Sequence, residues 1–220
     1  MRPGSRPRPE GDRPRADLTG VVLCGGKSLR MGADKAALRL AGSTLLERAA
    51  AELDTIATET LLACGTSPRY AELGRPLVLD AYLEGGPLAG LEAALARSRT
   101  EWLAAIACDM PRAEGRALLT LLEHAERHGL DACLLETEKG VEPLCAVYRR
   151  TCLEPVRSAL AAGERKVTAF FGFAKTDHSP LIVGNLLERE LPHELAVLGV
   201  AVNLNTPAEL DVEGQTGVAR

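Results

Sequence analysis

Apolar runs of strand length alternate along this chain with stretches of helical periodicity, and that alternation limits the fold more than any other feature. Strands are predicted at Gly20–Leu23, Thr60–Ala63, Leu77–Leu79 and Trp102–Ala107, and helices at Thr44–Leu53, Leu88–Arg97 and Arg116–His128. In the second of these helices Leu88, Leu91, Ala94 and Leu95 form a single stripe with the spacing of a core-facing surface. Repeated strand–helix–strand units build a mostly parallel sheet covered on both faces, an α/β fold. Ligands of such sheets sit beyond the carboxyl ends of the strands. Three segments that carry chemistry fall at such ends: the loop after Leu23, Asp80 after Leu77–Leu79, and Asp109 after Trp102–Ala107. The second half is less regular. Strands are predicted at Ala132–Leu135 and Leu144–Tyr148 and a helix at Leu153–Ala161, while residues 167 to 200 are expected to hold an inserted hairpin or short helix.

The chain has 220 residues, enough to bury one full core, so residues 18–220 are read as a single domain. Residues 1–17 contain four prolines and five arginines without apolar periodicity and are read as a disordered tail. A net charge of −4 with 3% aromatic residues argues against a nucleic-acid surface. No apolar run is long enough for a membrane span, and the N-terminus lacks the apolar core of a secretory signal. Six cysteines without C-x-x-C spacing read as free thiols in a reducing cytoplasm, with no zinc site.

The loop itself reads Leu23-Cys24-Gly25-Gly26-Lys27-Ser28-Leu29-Arg30-Met31-Gly32-Ala33-Asp34-Lys35. Close-spaced glycines let backbone N–H groups approach a triphosphate, and Lys27, Arg30 and Lys35 supply positive charge. The spacing is neither G-x-x-x-x-G-K-[ST] nor G-x-G-x-x-G. Taken alone, a glycine pair after a strand is equally a plain turn in a solvated basic loop. Asp109 ends an apolar strand, and Pro111 behind it stiffens the turn; an aspartate there suits a metal ligand or a turn former. Gly86-Pro87-Leu88-Ala89-Gly90 marks a helix N-terminus whose positive end faces the edge where Asp80 lies.

The run G-G-x-S-x-R-M-G-x-D-K resembles the signature of the MobA-like nucleotidyltransferases, especially the molybdenum cofactor guanylyltransferases. Gly86–Gly90, Cys108-Asp109-Met110-Pro111, Glu142-Pro143-Leu144, Ala162-Gly163-Glu164-Arg165-Lys166 and Asn203-Leu204-Asn205-Thr206-Pro207 follow in the family's order, so the resemblance spans residues 19 to about 210. It implies a three-layer, Rossmann-like (GT-A-like) nucleotidyltransferase fold. It also implies transfer of GMP from GTP to Mo-molybdopterin with release of pyrophosphate. On this resemblance Asp109 holds Mg2+. Lys35 contacts the triphosphate, and Arg30 steadies the leaving pyrophosphate. Backbone groups of Leu23, Cys24 and Gly25, with Gly26, meet the guanine nucleotide, as does Asp80. Pro143, Arg165, Lys166, Asn203 and Asn205 lie near the pterin. Lys27 occupies a variable position. Arg30 has an alternative as a structural pair with Asp34 or Glu84, and Asn205 as a metal contact or helix cap. Further partners implied are other cofactor-assembly proteins or a molybdoenzyme that accepts the product.

Two departures stand out. Cys24 occupies a position where many relatives carry Ala, and Leu62-Ala63-Cys64-Gly65 lacks the Asn often found after the second strand. Cys24, Cys64 and Cys108 all end predicted strands, either as accessible thiols around one mouth or as small buried residues. Two other readings stay open. One is a related transferase, a molybdenum cofactor cytidylyltransferase or a sugar-phosphate nucleotidyltransferase. The other is a non-catalytic nucleotide or cofactor carrier.

Overall fold

The computed structural model describes residues 14–25 and 34–204. Nine strands and five helices occur among them. In chain order they are β1 (Arg15–Leu23), β2 (Arg39–Leu40), β3 (Ser43–Thr44), α1 (Leu45–Ile56), β4 (Ala57–Ala63), β5 (Leu77–Val78), α2 (Gly86–Arg97), β6 (Trp102–Ala107), α3 (Gly115–His128), β7 (Ala132–Thr137), β8 (Gly140–Arg149), α4 (Leu153–Ala161), β9 (Val183–Leu187) and α5 (His193–Leu198). Strands β2 and β3 form a small antiparallel ribbon, and the other seven make one sheet in the order β5-β4-β1-β6-β8-β7-β9. Within that sheet β8 alone runs against its neighbours β6 and β7; the other pairings are parallel. The mostly parallel α/β sheet expected from the alternation is therefore present.

Side chains alternate across the sheet with the period of a strand. On one face Leu18, Val22, Trp102, Ala104 and Ile106 pack with Leu46, Ala50 and Leu53 of α1, Leu118 and Leu121 of α3, and Leu195 of α5. On the other, Val21, Leu23, Leu103 and Ala105 pack with Leu88, Leu91 and Leu95 of α2 and Val156 and Leu160 of α4. Every residue of β6 is buried, as the central strand of a sheet covered on both faces requires. Thr44 starts α1 with a capping box: its hydroxyl accepts from Glu47 N–H, and Glu47 returns a carboxylate to Thr44 N–H. None of the described helices is long and apolar enough to cross a membrane.

Most element ends shift by a few residues, and two larger differences stand out. Strand β1 starts at Arg15, inside the stretch read as tail. Its polar residues conceal it. Arg15 forms ion pairs with Asp17 and with Glu126 of α3. Buried Thr19 is satisfied by the hydroxyls of Thr100 and Ser98, at 2.8 and 3.1 Å. Residues 167–200 hold the expected short helix, α5, and no hairpin, and they add a strand that was not expected. A 3-10 turn (Val167–Gly172) is followed by β9, which joins the sheet edge parallel to β7, and then by the short α5.

Buried Asp131 anchors that added edge. Its carboxylate accepts from Ile182 N–H at 2.9 Å, Lys175 Nζ at 3.0 Å and Thr151 Oγ1 at 2.7 Å. Burial alone would raise this carboxyl, but the three donors outweigh it and hold it below the usual carboxylate range. Its stabilisation is therefore complete above the unfolded-state value of about 3.9 and is lost as pH falls through the lower folded value. Asp131→Asn sets an amide donor against these N–H groups. It should cost about 1–3 kcal/mol at neutral pH, a fall of roughly 2–10 °C in Tm. The gap from wild type should begin to close near pH 4, as thermal melts from pH 7 to pH 3 will show.

Candidate active site

Parallel pairing brings the carboxyl ends of β5, β4, β1 and β6 to one edge, and the winding of the sheet reverses at β1. From β1 the chain crosses to β4 and β5 on one side, then returns to β6 on the other. The crossover helices α1 and α2 lie on opposite faces, so the crevice at a switch point falls between the ends of β1 and β6. Cys108 N–H donates to the Leu23 carbonyl at 3.1 Å across that point.

Lys35 and Asp109 meet there. Lys35 Nζ donates to Asp109 Oδ2 and to the Leu204 carbonyl, each at 3.1 Å, with both charged side chains about four-fifths buried. Leu204 N–H in turn donates to the Asp109 carbonyl at 2.8 Å. The glycine loop and the C-D-x-P turn, both expected at this edge, are thus joined to each other and to the N-x-N segment through two side chains and two peptide groups.

Lys35 starts a 3-10 turn (Lys35–Ala37) capped by Asp34, whose carboxylate accepts from Ala36 N–H at 3.2 Å. The other oxygen of Asp34 pairs with Arg69 Nη1 at 3.0 Å and accepts from the Tyr70 hydroxyl. Arg69 Nη2 also donates to the Cys24 carbonyl at 3.3 Å, so one guanidinium ties the start of the loop to its end. Burial and the bond to Asp34 raise the Tyr70 hydroxyl well above its ordinary range. Sequence reading missed Arg69 and Tyr70, because neither lies in a motif and their partner is more than thirty positions away.

The end of β1 is tightly built. Cys24 and Gly25 N–H both donate to the Ala63 carbonyl, at 3.0 and 2.8 Å. A Cβ on Gly25 would lie 2.5 Å from the Gly65 nitrogen, a backbone atom that cannot give way. Gly65 has a positive φ of 76°, and its carbonyl accepts from Asp80 N–H at 2.8 Å, which sets Asp80 beside the crevice. Asp80 Oδ1 is buried and has no hydrogen-bond partner among the described residues. Burial, with nearby Glu92, raises this carboxyl. Such an oxygen calls for a donor from outside the protein.

Next to Leu204, Asn203 Nδ2 donates to Glu142 Oε2 at 3.4 Å. Burial raises the Glu142 carboxyl; Asn203 opposes the shift and the charge of Asp109 adds to it. The Pro143 carbonyl accepts from the buried Tyr148 hydroxyl, so this proline has a structural bond beside the site. Arg165 and Lys166 are exposed and stand apart from Asn203: the Arg165 carbonyl is 3.2 Å from where a Cβ of Gly86 would stand, against the first turn of α2, which follows the carboxyl end of β5. Gly26, Lys27, Arg30 and Asn205 lie outside the described residues.

The thiols divide. Cys24 and Cys64 are buried, with their sulfurs 3.8 Å apart. The bond to Cys64, together with burial, holds the Cys24 thiol far above its usual range. Cys108 is partly exposed, and burial of its sulfur pushes its thiol up to about 12. Of the two readings, small buried residues fits Cys24 and Cys64.

Similarity to known proteins agrees with this geometry. A probable molybdenum cofactor guanylyltransferase of Pelotomaculum thermopropionicum is 33% identical over 193 residues, 87% of this chain and 89% of that protein. A molybdenum cofactor guanylyltransferase of Desulfosudis oleivorans is 30% identical over 195 residues, 88% of this chain and 93% of that one. The fold matches the crystal structure of molybdopterin-guanine dinucleotide biosynthesis protein A from Archaeoglobus fulgidus with a TM-score of 0.77 at 24% identity, covering 92% of this chain and all of that one. The family model for the MobA-like NTP transferase domain matches residues 20–178, from the strand that ends in the glycine loop to beyond α4, and the chain belongs to that family.

Proposed function

We propose that this protein transfers GMP from GTP to the terminal phosphate of Mo-molybdopterin, forming molybdopterin guanine dinucleotide and pyrophosphate. The observation that carries this reading is the Lys35–Asp109 pair, 3.1 Å apart at the switch point of the sheet, in a chain that resembles guanylyltransferases over most of its length. An oxygen of the pterin phosphate bonds to the α-phosphorus of GTP. The bond from that phosphorus to the bridging oxygen breaks, and pyrophosphate leaves with the electron pair. The attacking group is already anionic, so no protein nucleophile is needed. Catalysis consists of alignment and charge neutralisation.

The donor nucleotide belongs in the crevice between β1 and β6. Because Ala63 takes the N–H groups of Cys24 and Gly25, the backbone there offers carbonyl oxygens to a base. Carbonyls match the N–H donors on the guanine edge, and a carbonyl that already accepts one bond can accept a second. Asp80 supplies a further acceptor through its unpartnered Oδ1. Lys35 places one positive charge beside the phosphates, and Arg30 is proposed to add another at the departing pyrophosphate.

Mg2+ fits the donor set. The described residues include no group of three or more His, Cys, Asp or Glu side chains placed to hold a metal ion by themselves. One strand-end carboxylate, Asp109, is what magnesium requires when phosphate oxygens and water complete its shell, and Asn205 is a candidate to join it. Bound there, the ion neutralises charge on the phosphates. Arg165, Lys166, Asn203, Pro143 and Asn205 are proposed for the acceptor, with the two exposed cations directed to its phosphate.

Thermal unfolding with Mg2+ and each of GTP, CTP, UTP and ATP tests the donor. GTP at about a hundred times its Kd should raise Tm by roughly 5–10 °C. A shift with CTP or UTP in place of GTP would point to a sister transferase. Asp109→Ala should lose most of the GTP shift and slow pyrophosphate release by about 100-fold or more. Gly25→Ala should lower Tm by several degrees, through its clash with the Gly65 backbone, and should weaken GTP binding. Unchanged GTP affinity in Gly25→Ala would remove the β1 end from the nucleotide site.

A further inference from the structure

The chain makes a local exception to regular pairing to place Glu142. Strand β8 pairs Ala146 with Leu134 and then Glu142 with the next residue of β7, Leu135, so Pro143, Leu144 and Cys145 are looped out of that ladder. Irregularities of this kind redirect side chains beside functional sites. Here the displaced carboxylate meets Asn203, and the charges of Asp109, Lys139 and Glu188 act on it. Asn203 precedes Leu204, whose N–H and C=O are held by Asp109 and Lys35. The backbone at Asn203 is therefore fixed, and the remaining freedom is which end of the amide faces the substrate.

A carboxylate settles that choice, because it accepts and cannot donate. Only Nδ2 of Asn203 can bond to Glu142, so Oδ1 must take the opposite side. Oδ1 has no hydrogen-bond partner among the described residues. We propose that Glu142 is a positioning residue for the acceptor: it locks the Asn203 amide with Oδ1 presented to the N–H donors of the pterin's aminopyrimidinone edge. This inference rests on the transferase reading above and on Asn203 lying at the pterin. A basic or purely donating residue at position 142 would turn the amide over and offer an N–H to that edge.

A double-mutant cycle in steady-state kinetics with GTP and Mo-molybdopterin tests the coupling. Glu142→Ala should raise KM for Mo-molybdopterin about tenfold and leave KM for GTP within about twofold. Glu142→Gln retains an acceptor oxygen and should recover part of the loss, with a rise of about threefold. It is isosteric, so it carries the same test if the alanine variant folds poorly. In an Asn203→Ala background, adding Glu142→Ala should change the pterin KM by less than about twofold, because the group it positions is gone. Effects that multiply in the double variant, or equal rises in KM for GTP and the pterin, would overturn the proposal. Wild-type protein that binds GTP but releases no pyrophosphate with Mo-molybdopterin would instead sink the transferase reading, and this inference with it.

Discussion

Lys35 Nζ lies 3.1 Å from both Asp109 Oδ2 and the Leu204 carbonyl, and those two bonds join parts of the chain 74 and 169 positions apart. Each charge is largely withdrawn from water, which makes the pair a poor device for stabilising a fold. Its value lies in preorganisation. A cation and a carboxylate stand side by side at a strand end before any phosphate arrives, and little reorganisation is needed when one does. The same bonds hold the Asn203–Leu204 segment against the C-D-x-P turn. Order at Asn203 and Leu204 thus depends on a lysine from the glycine loop.

Around that pair, polar residues hold elements that apolar packing leaves loosely specified. Arg69 bridges the Cys24 carbonyl and Asp34, fixing the two ends of the glycine loop relative to each other. The Thr19, Ser98 and Thr100 hydroxyls satisfy one another where β1 passes into the core. Asp131 draws Lys175 and Ile182 together and delivers β9 to the sheet edge. Buried Thr19, Ser98 and Asp131 are well supplied with partners, the condition under which polar groups specify structure without destabilising it.

The sequence was most legible where burial dictates composition. Trp102–Ala107 is apolar throughout because both of its faces are covered, and its predicted bounds coincide with β6. Leu153–Ala161 is likewise a helix with the expected ends. The convergence of the glycine loop, Asp80 and Asp109 followed from parallel topology alone. What escaped reading depends on partners distant in sequence. Arg15 and Thr19 look like tail or loop until Glu126 and Thr100 are seen beside them. Val183–Leu187 is a strand because β7 offers an open edge and Asp131 holds its approach, neither of which leaves a periodic mark. Arg69 and Tyr70 were invisible as site residues for the same reason, and Glu142, though part of the Glu142-Pro143-Leu144 segment, was given no role: each acts on a motif residue without belonging to a phosphate-binding pattern.

The layout of the sheet also divides the work of the site. Donor-side groups, from Leu23 to Asp109, come from four parallel strands whose carboxyl ends align of necessity. Glu142 comes from β8, the strand that runs the other way, so the residue reaching the same edge belongs to its beginning rather than its end. An antiparallel strand enters the sheet at the edge where the parallel strands leave it. Reversing one strand therefore places Glu142 and Pro143 opposite Asp109, which a further parallel strand would have done only with its last residues. The direction change between β6 and β8 allows residues on either side of it to face one crevice, with Asp109 proposed to serve the nucleotide and Glu142 the acceptor. On the proposed function, the reversed strand is what brings groups for a second substrate to the edge that takes the nucleotide.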